Sequence, residues 1–201
     1  MAGVASWLGT RIGVARAGAR HRCRAMADYQ HIVQPFEPVF DGCSRVLVLG
    51  SFPSALSRER AFYYGNPRNR FWRVVAACIG EEAPADGDVD GKRSLLLRHG
   101  IALWDVIESC DIKGSSDASI KNVVPARVEC VMEAARIERV LCNGATAGRL
   151  YKRFLLARTG LPAVVLPSTS PANAAWSEAR LIECWRPHLK KGTSKRGQAL
   201  I

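Results

Sequence analysis

The sequence predicts an α/β domain, a three-layer α/β/α sandwich around a central, mainly parallel four-stranded sheet. Three observations predict it. Four short apolar runs recur along the 201 residues, and segments with helical spacing of apolar residues separate them. A hydrophobic share of 48% can fill one core. No apolar stretch is long enough to span a bilayer.

The first buried strand is expected at 45–49, closing at Gly50, with a long loop over 51–66. Asn66 and Pro67 look like an N-cap and a first helical residue. Phe71, Trp72, Val74, Val75, Cys78 and Ile79 then keep helical spacing until Gly80 supplies a stop. An acidic loop over 81–91 leads to a short helix at 93–98 and a second strand at 101–104. After it Asp105 reads as a helix N-cap, with a carboxylate near the crevice that tunes the site or orients the loops as the other reading. A polar loop covers 111–117, and a helix runs from Pro125 to about Arg136. The third strand is placed at 138–142, and Asn143-Gly144 opens a helix through Leu156. The fourth strand is placed at 162–166, and a last helix starts at Ser177 and is stopped by Pro187.

The ends have a different composition. Residues 1–27 hold five arginines and no acid, and they are expected to be a disordered basic extension outside the fold, with Met26 the natural start. A targeting presequence and a phosphate-gripping arm are the other readings. The compact domain is expected over 28–189, and 190–201 as a flexible basic tail. The expected compartment is the cytoplasm, or the mitochondrion or nucleus if the extension is a targeting segment. The net charge of +11 drops to +6 without the extension, still basic enough to favour polyanionic partners.

Seven scattered cysteines include no C-x-x-C pair, and the four histidines show no ligand spacing. No metal and no cofactor are therefore expected, and Cys78 and Cys142 read as buried reduced thiols. There is no G-x-G-x-x-G, P-loop lysine or G-x-S-x-G elbow. The chemistry instead gathers in three loops that leave strand carboxyl ends, at 50–69, 143–146 and 167–173, where α/β sheets bind ligands.

Those loops read Gly50-Ser51-Phe52-Pro53-Ser54, then Tyr63-Tyr64-Gly65-Asn66-Pro67-Arg68-Asn69-Arg70-Phe71-Trp72, then Cys142-Asn143-Gly144, then Pro167-Ser168-Thr169-Ser170-Pro171-Ala172-Asn173. In this order the chain resembles the uracil-DNA glycosylase superfamily over about residues 30–186, with its closest likeness to the hypoxanthine (deoxyinosine) branch. The resemblance implies a monofunctional DNA glycosylase of base excision repair, which everts a deaminated base and hydrolyses its N-glycosidic bond to leave an abasic site. It implies DNA as the partner, and the enzyme is expected to act as a monomer. Asn69 would be catalytic, its carbonyl orienting water, and Asn143 would read the base. Ser51, Phe52 and Tyr64 would also contact the base, and Ser168, Thr169, Ser170, Pro171 and Ala172 would hold the deformed strand.

Each residue also has an ordinary reading. Asn69 could be a helix-terminal polar group, Asn143 a turn, Phe52 and the tyrosines core, and 167–173 a plain connection. Arg68 and Arg70 read as phosphate contacts or solvated charges. The first loop lacks the water-activating acid of the classical uracil enzymes, and the late loop lacks their histidine. Both departures match the hypoxanthine branch. No lysine is placed to form a Schiff base, so strand cleavage is not expected. The alternatives are a uracil or mismatch glycosylase of the same fold and a non-catalytic nucleic-acid-binding domain.

Overall fold

The computed structural model describes residues 28–189. The expectations for 1–27 and 190–201, Cys23 included, lie outside the described residues. In chain order the first elements are β1 (Gln30–Val33), β2 (Val46–Gly50), α1 (Ala55–Glu59), α2 (Phe71–Ile79) and α3 (Val89–Arg98). Next come β3 (Ile101–Asp105), β4 (Ile107–Ile112), β5 (Lys121–Pro125), α4 (Glu129–Ala134) and β6 (Arg139–Asn143). The chain continues through α5 (Ala145–Phe154), α6 (Leu156–Thr159), β7 (Ala163–Leu166) and α7 (Glu178–Leu189).

The four expected strands form one sheet in the order β3-β2-β6-β7, and every neighbouring pair is parallel. Val48 sits between Leu103 and Leu141, and all five residues of β2 are buried. A central strand covered on both faces needs an unbroken apolar run, which Val46-Leu47-Val48-Leu49 supplies. The steps β2 to β3 and β6 to β7 run in opposite directions. Right-handed crossovers therefore place α2 and α3 on one face and α5 on the other. Helix α7 returns to pack on α2, completing the three-layer α/β/α architecture.

Several boundaries differ from expectation. Helix α2 begins at Phe71, not Pro67, because Asn66 Oδ1 accepts from Arg68 N at 3.0 Å and turns the chain tightly first. The loop at 51–66 contains α1, and α3 begins at Val89, within the segment read as acidic loop, capped by Asp88 Oδ1 on Gly91 N at 2.8 Å. The helix expected at 125–136 shortens to α4. Pro187 does not stop α7, which runs on to Leu189, where the side chain is buried and Arg139 Nη1 donates to His188 O at 3.1 Å.

The larger difference is a second sheet, antiparallel, in the order β1-β4-β5. The chain leaves β3 and enters β4 through Val106 alone, so Asp105 is the last residue of a buried strand and no helix follows for it to cap. Val106 N and Ile107 N donate to Gly50 O and Ser51 O at 2.9 and 3.3 Å, joining the start of β4 to the end of β2. Val39 and Leu103 exchange backbone bonds of 2.9 and 2.8 Å, which covers the outer edge of β3. Cys78, Cys110 and Cys142 are buried free thiols, whereas Cys43 and Cys130 are exposed.

Candidate active site

Gly50 and Asp105 end adjacent strands, Asn143 ends β6, and Ser168 lies just beyond β7. All four line one cleft of about 390 Å³, at the switch point where the crossovers diverge. Of the sequence-predicted residues, Ser51, Phe52, Tyr64, Asn69, Asn143, Ser168, Ser170 and Ala172 line the same cleft. Pro171 is exposed beside it. Thr169 has no exposed surface, so it stands behind the cleft wall and not on a DNA-facing surface.

Asn69 lies before α2 and not inside its first turn. Its backbone N–H bonds to Asn66 O at 2.8 Å, and its Oδ1 accepts from Phe71 N at 3.0 Å, covering a donor at the start of the helix. The same Oδ1 accepts from Thr169 Oγ1 at 2.9 Å. Both carbonyl lone pairs are thus occupied, and among the described residues none accepts from Nδ2. The polar atom that Asn69 leaves for the cleft is a donor, and the expectation that its carbonyl orients water does not fit this geometry.

Asn143 is held just as closely. Its Oδ1 accepts from Thr169 N at 2.9 Å and its Nδ2 donates to Thr169 Oγ1 at 2.9 Å. The following Gly144 adopts φ +101, and a Cβ there would stand 2.9 Å from Ser168 Cβ, so only glycine lets the β6 and β7 loops meet.

The late loop is tied to α2 by Arg70. Its Nη2 donates to Ser170 O at 2.7 Å and Asn173 O at 3.1 Å, its Nε to Thr169 O at 3.3 Å, and its Nη1 to Trp176 O. Arg70 is therefore a clamp on backbone carbonyls, correcting its reading as a phosphate contact. Trp185 Nε1 fixes the start of the loop through Pro167 O at 3.0 Å, and Asn173 Nδ2 bonds Ser168 O at 2.8 Å.

Aromatic packing sets the opposite wall. Tyr64 stacks on Phe71 with ring centroids 3.8 Å apart and holds a left-handed backbone, φ 52, which costs on the order of 1 kcal/mol at a non-glycine residue. Its buried hydroxyl makes no well-formed hydrogen bond among the described residues, although the Asn143 amide lies near enough to act on it. A Cβ on Gly50 would lie 2.1 Å from Asp105 Oδ1 and 3.2 Å from Tyr64 Oη, so this strand end must be glycine for both groups to reach the floor. Phe52 is buried in the core and also lines the cleft, which joins its two sequence readings.

Sequence reasoning placed Asp105 near the crevice but passed over the loop that closes one side of it. Ser51 Oγ donates to Asp117 Oδ2 at 3.0 Å, and Ser115 Oγ accepts from Ala55 N at 2.8 Å, so the polar loop after β4 closes the cleft. The only signal for it in the sequence was turn composition. Asp105 is 4% exposed and accepts from Gln34 Nε2 at 2.7 Å. Burial raises its carboxyl to about 7, outweighing the lowering by Gln34, with Asp117 adding a smaller upward push.

This carries a stability prediction. Between about pH 4 and 7 the folded chain keeps the Asp105 proton that the unfolded chain has lost, so stability falls as pH rises through that window and levels off above it. Asp105→Asn should flatten this part of the profile. Thermal melts from pH 4.5 to 8 compare the two, and equal slopes would assign the dependence elsewhere. Among the described residues, no three His, Cys, Asp or Glu side chains group to hold a metal ion.

The fold and site together define an α/β/α domain with a polar cleft where the ends of its parallel strands converge. The chain belongs to the uracil DNA glycosylase superfamily, whose family model matches residues 38–188. It is 37% identical over 150 residues to a hypoxanthine DNA glycosylase of Methanosarcina acetivorans, covering 74% of this chain and 93% of the relative. It is 33% identical over 155 residues to a hypoxanthine DNA glycosylase of Methanosarcina barkeri, covering 73% and 96%. The solution NMR structure of a Methanosarcina acetivorans protein, described provisionally as a uracil DNA glycosylase, superposes with a TM-score of 0.65 at 34% identity. It covers 79% of this chain and 99% of that one. No helix among the described residues is long and apolar enough to cross a membrane.

Proposed function

We propose that the protein is a DNA-deoxyinosine glycosylase that releases hypoxanthine from DNA and leaves an abasic site. The observation that carries this reading is the fixed amide of Asn143 in the cleft beside Asn69. The Thr169 backbone N–H can only donate, so it holds Asn143 Oδ1 on its own side. One lone pair on Oδ1 and one proton on Nδ2 remain. Hypoxanthine offers a carbonyl oxygen and an adjacent N–H, which this pair matches, whereas adenine offers the reverse order. Phe52 and Tyr64 supply apolar surface for the everted ring.

Asn69 Nδ2 holds the attacking water through one of its lone pairs and leaves the other aimed at the sugar. Water adds to C1′, the C1′–N9 electron pair leaves with the base, and the proton lost by water ends on the departing base. Ser168, Ser170, Pro171 and Ala172 face the strand, and Arg70 keeps their loop in shape before DNA arrives. The enzyme works as a monomer on DNA in the cytoplasm, or in the mitochondrion or nucleus if residues 1–27 are a targeting segment.

A lesion panel of end-labelled duplexes, each with one inosine, uracil or xanthine, tests the assignment. Alkali-labile product is expected at inosine first. Product at uracil alone would move the substrate within the same fold, because uracil carries the same lactam edge. Salt-sensitive binding without product at any enzyme concentration would leave only a nucleic-acid-binding domain.

A further inference from the structure

Thr169 is fully buried, yet all of its polar atoms are engaged. Its N–H donates to Asn143 Oδ1 at 2.9 Å. Its carbonyl accepts from Arg70 N at 3.2 Å and Arg70 Nε at 3.3 Å. Its hydroxyl accepts from Asn143 Nδ2 at 2.9 Å and lies 2.9 Å from Asn69 Oδ1. The direction of every bond is forced. Phe71 N–H, a pure donor, fixes which atom of Asn69 is the oxygen, and Thr169 N–H does the same for Asn143. The hydroxyl proton therefore points at Asn69, and one directed chain runs from Asn143 Nδ2–H through Thr169 Oγ1–H to Asn69 Oδ1.

We propose that Thr169 is a positioning residue that couples base reading to bond cleavage. Its buried hydroxyl joins the two cleft asparagines and locks to each other the amide edges that Phe71 N–H and Thr169 N–H select. The inference rests on the glycosylase reading above. Two physical features suit Thr169 to this task. A β-branched side chain has few χ1 choices, so the hydroxyl is held at one bearing. Hydrogen bonds in a chain polarise one another, so a guest that draws on the Asn143 amide is felt at Asn69. Neither asparagine could be held in this way by an apolar residue of the same shape.

Thr169→Val and Thr169→Ser separate this role from simple packing. Valine keeps the shape and the backbone N–H but removes the bridge, whereas serine keeps the bridge. With an inosine duplex under single-turnover conditions, Thr169→Val should lower the cleavage rate about 10- to 100-fold while duplex affinity changes less than about threefold. Thr169→Ser should stay within about fivefold of wild type. A Thr169→Val rate equal to wild type, or Thr169→Ser as slow as Thr169→Val, would overturn the proposal. A second readout does not depend on activity. In ¹⁵N spectra of the free proteins, the side-chain amide signals of Asn69 and Asn143 should shift in Thr169→Val and stay near wild type in Thr169→Ser. Unmoved signals in Thr169→Val sink the bridge even if the enzyme is active. Shifted signals in a protein that releases no base from any duplex leave the bridge standing and remove the glycosylase reading.

Discussion

Asn69→Ala should lower the single-turnover rate on an inosine duplex by about 10²- to 10³-fold, the usual cost of removing one preorganised donor from a reacting centre. Duplex affinity should change little, because the lost group contacts the reacting water and not the DNA backbone. Stability should fall by about 2 kcal/mol, since the buried Phe71 N–H and the buried Thr169 hydroxyl both lose their acceptor. Asn69→Asp makes the test sharper. It keeps an oxygen for Phe71 N and Thr169 Oγ1 but replaces the amide donor by a second acceptor. If the donor does the work, Asn69→Asp is as slow as Asn69→Ala. An active Asn69→Asp would return the role to a carboxylate-like acceptor and refute the donor assignment.

Arg70→Ala is expected to have the largest effect on stability. One guanidinium holds four backbone carbonyls of the 169–176 segment, and no acid among the described residues pairs with it. Hydrogen bonds from a charged donor each contribute about 1.5–3 kcal/mol and do not add fully, so a total loss of about 3 kcal/mol is reasonable. For a chain of this size that lowers Tm by about 6–12 °C. Because Thr169 hangs from the same clamp, cleavage should slow as well. Arg70→Lys keeps the charge but cannot span four carbonyls with one planar fork, and should recover little of either. A melting curve for Arg70→Ala within a degree of wild type would show that the loop holds itself.

Much of this was legible in the chain. The parallel sheet announced itself because strands covered on both faces need apolar runs, and 46–49, 101–104 and 140–142 are such runs. The antiparallel sheet did not, because β1 and β5 are largely exposed and carry no such pattern. Asn-Pro at 66–67 carries the composition of a helix start, and only the bond from Arg68 N to Asn66 Oδ1 reveals a turn in its place. The converging loops were readable as chemistry, and eight of the ten named side chains line the cleft. The connections behind it were not. Nothing in Ser168-Thr169-Ser170 marks the middle residue as buried, since that depends on a guanidinium about a hundred residues earlier in the chain. Asp105 was visible as a carboxylate near the crevice, but its burial depends on Gln34, brought alongside by a sheet the sequence did not announce.

The passage from one sheet to the other through Val106 has a mechanical meaning. With Val106 and Ile107 fully enclosed and both amides bonded to the end of β2, the sill of the cleft has no slack. A guest that presses on Asp105 presses on two sheets at once, and neither can recede without breaking pairs in the other. Depth is therefore set by a stiff stop and not by an adaptable cushion. Bulk on the edge of a guest that meets Asp105 should be refused, while bulk directed out of the cleft meets only loop.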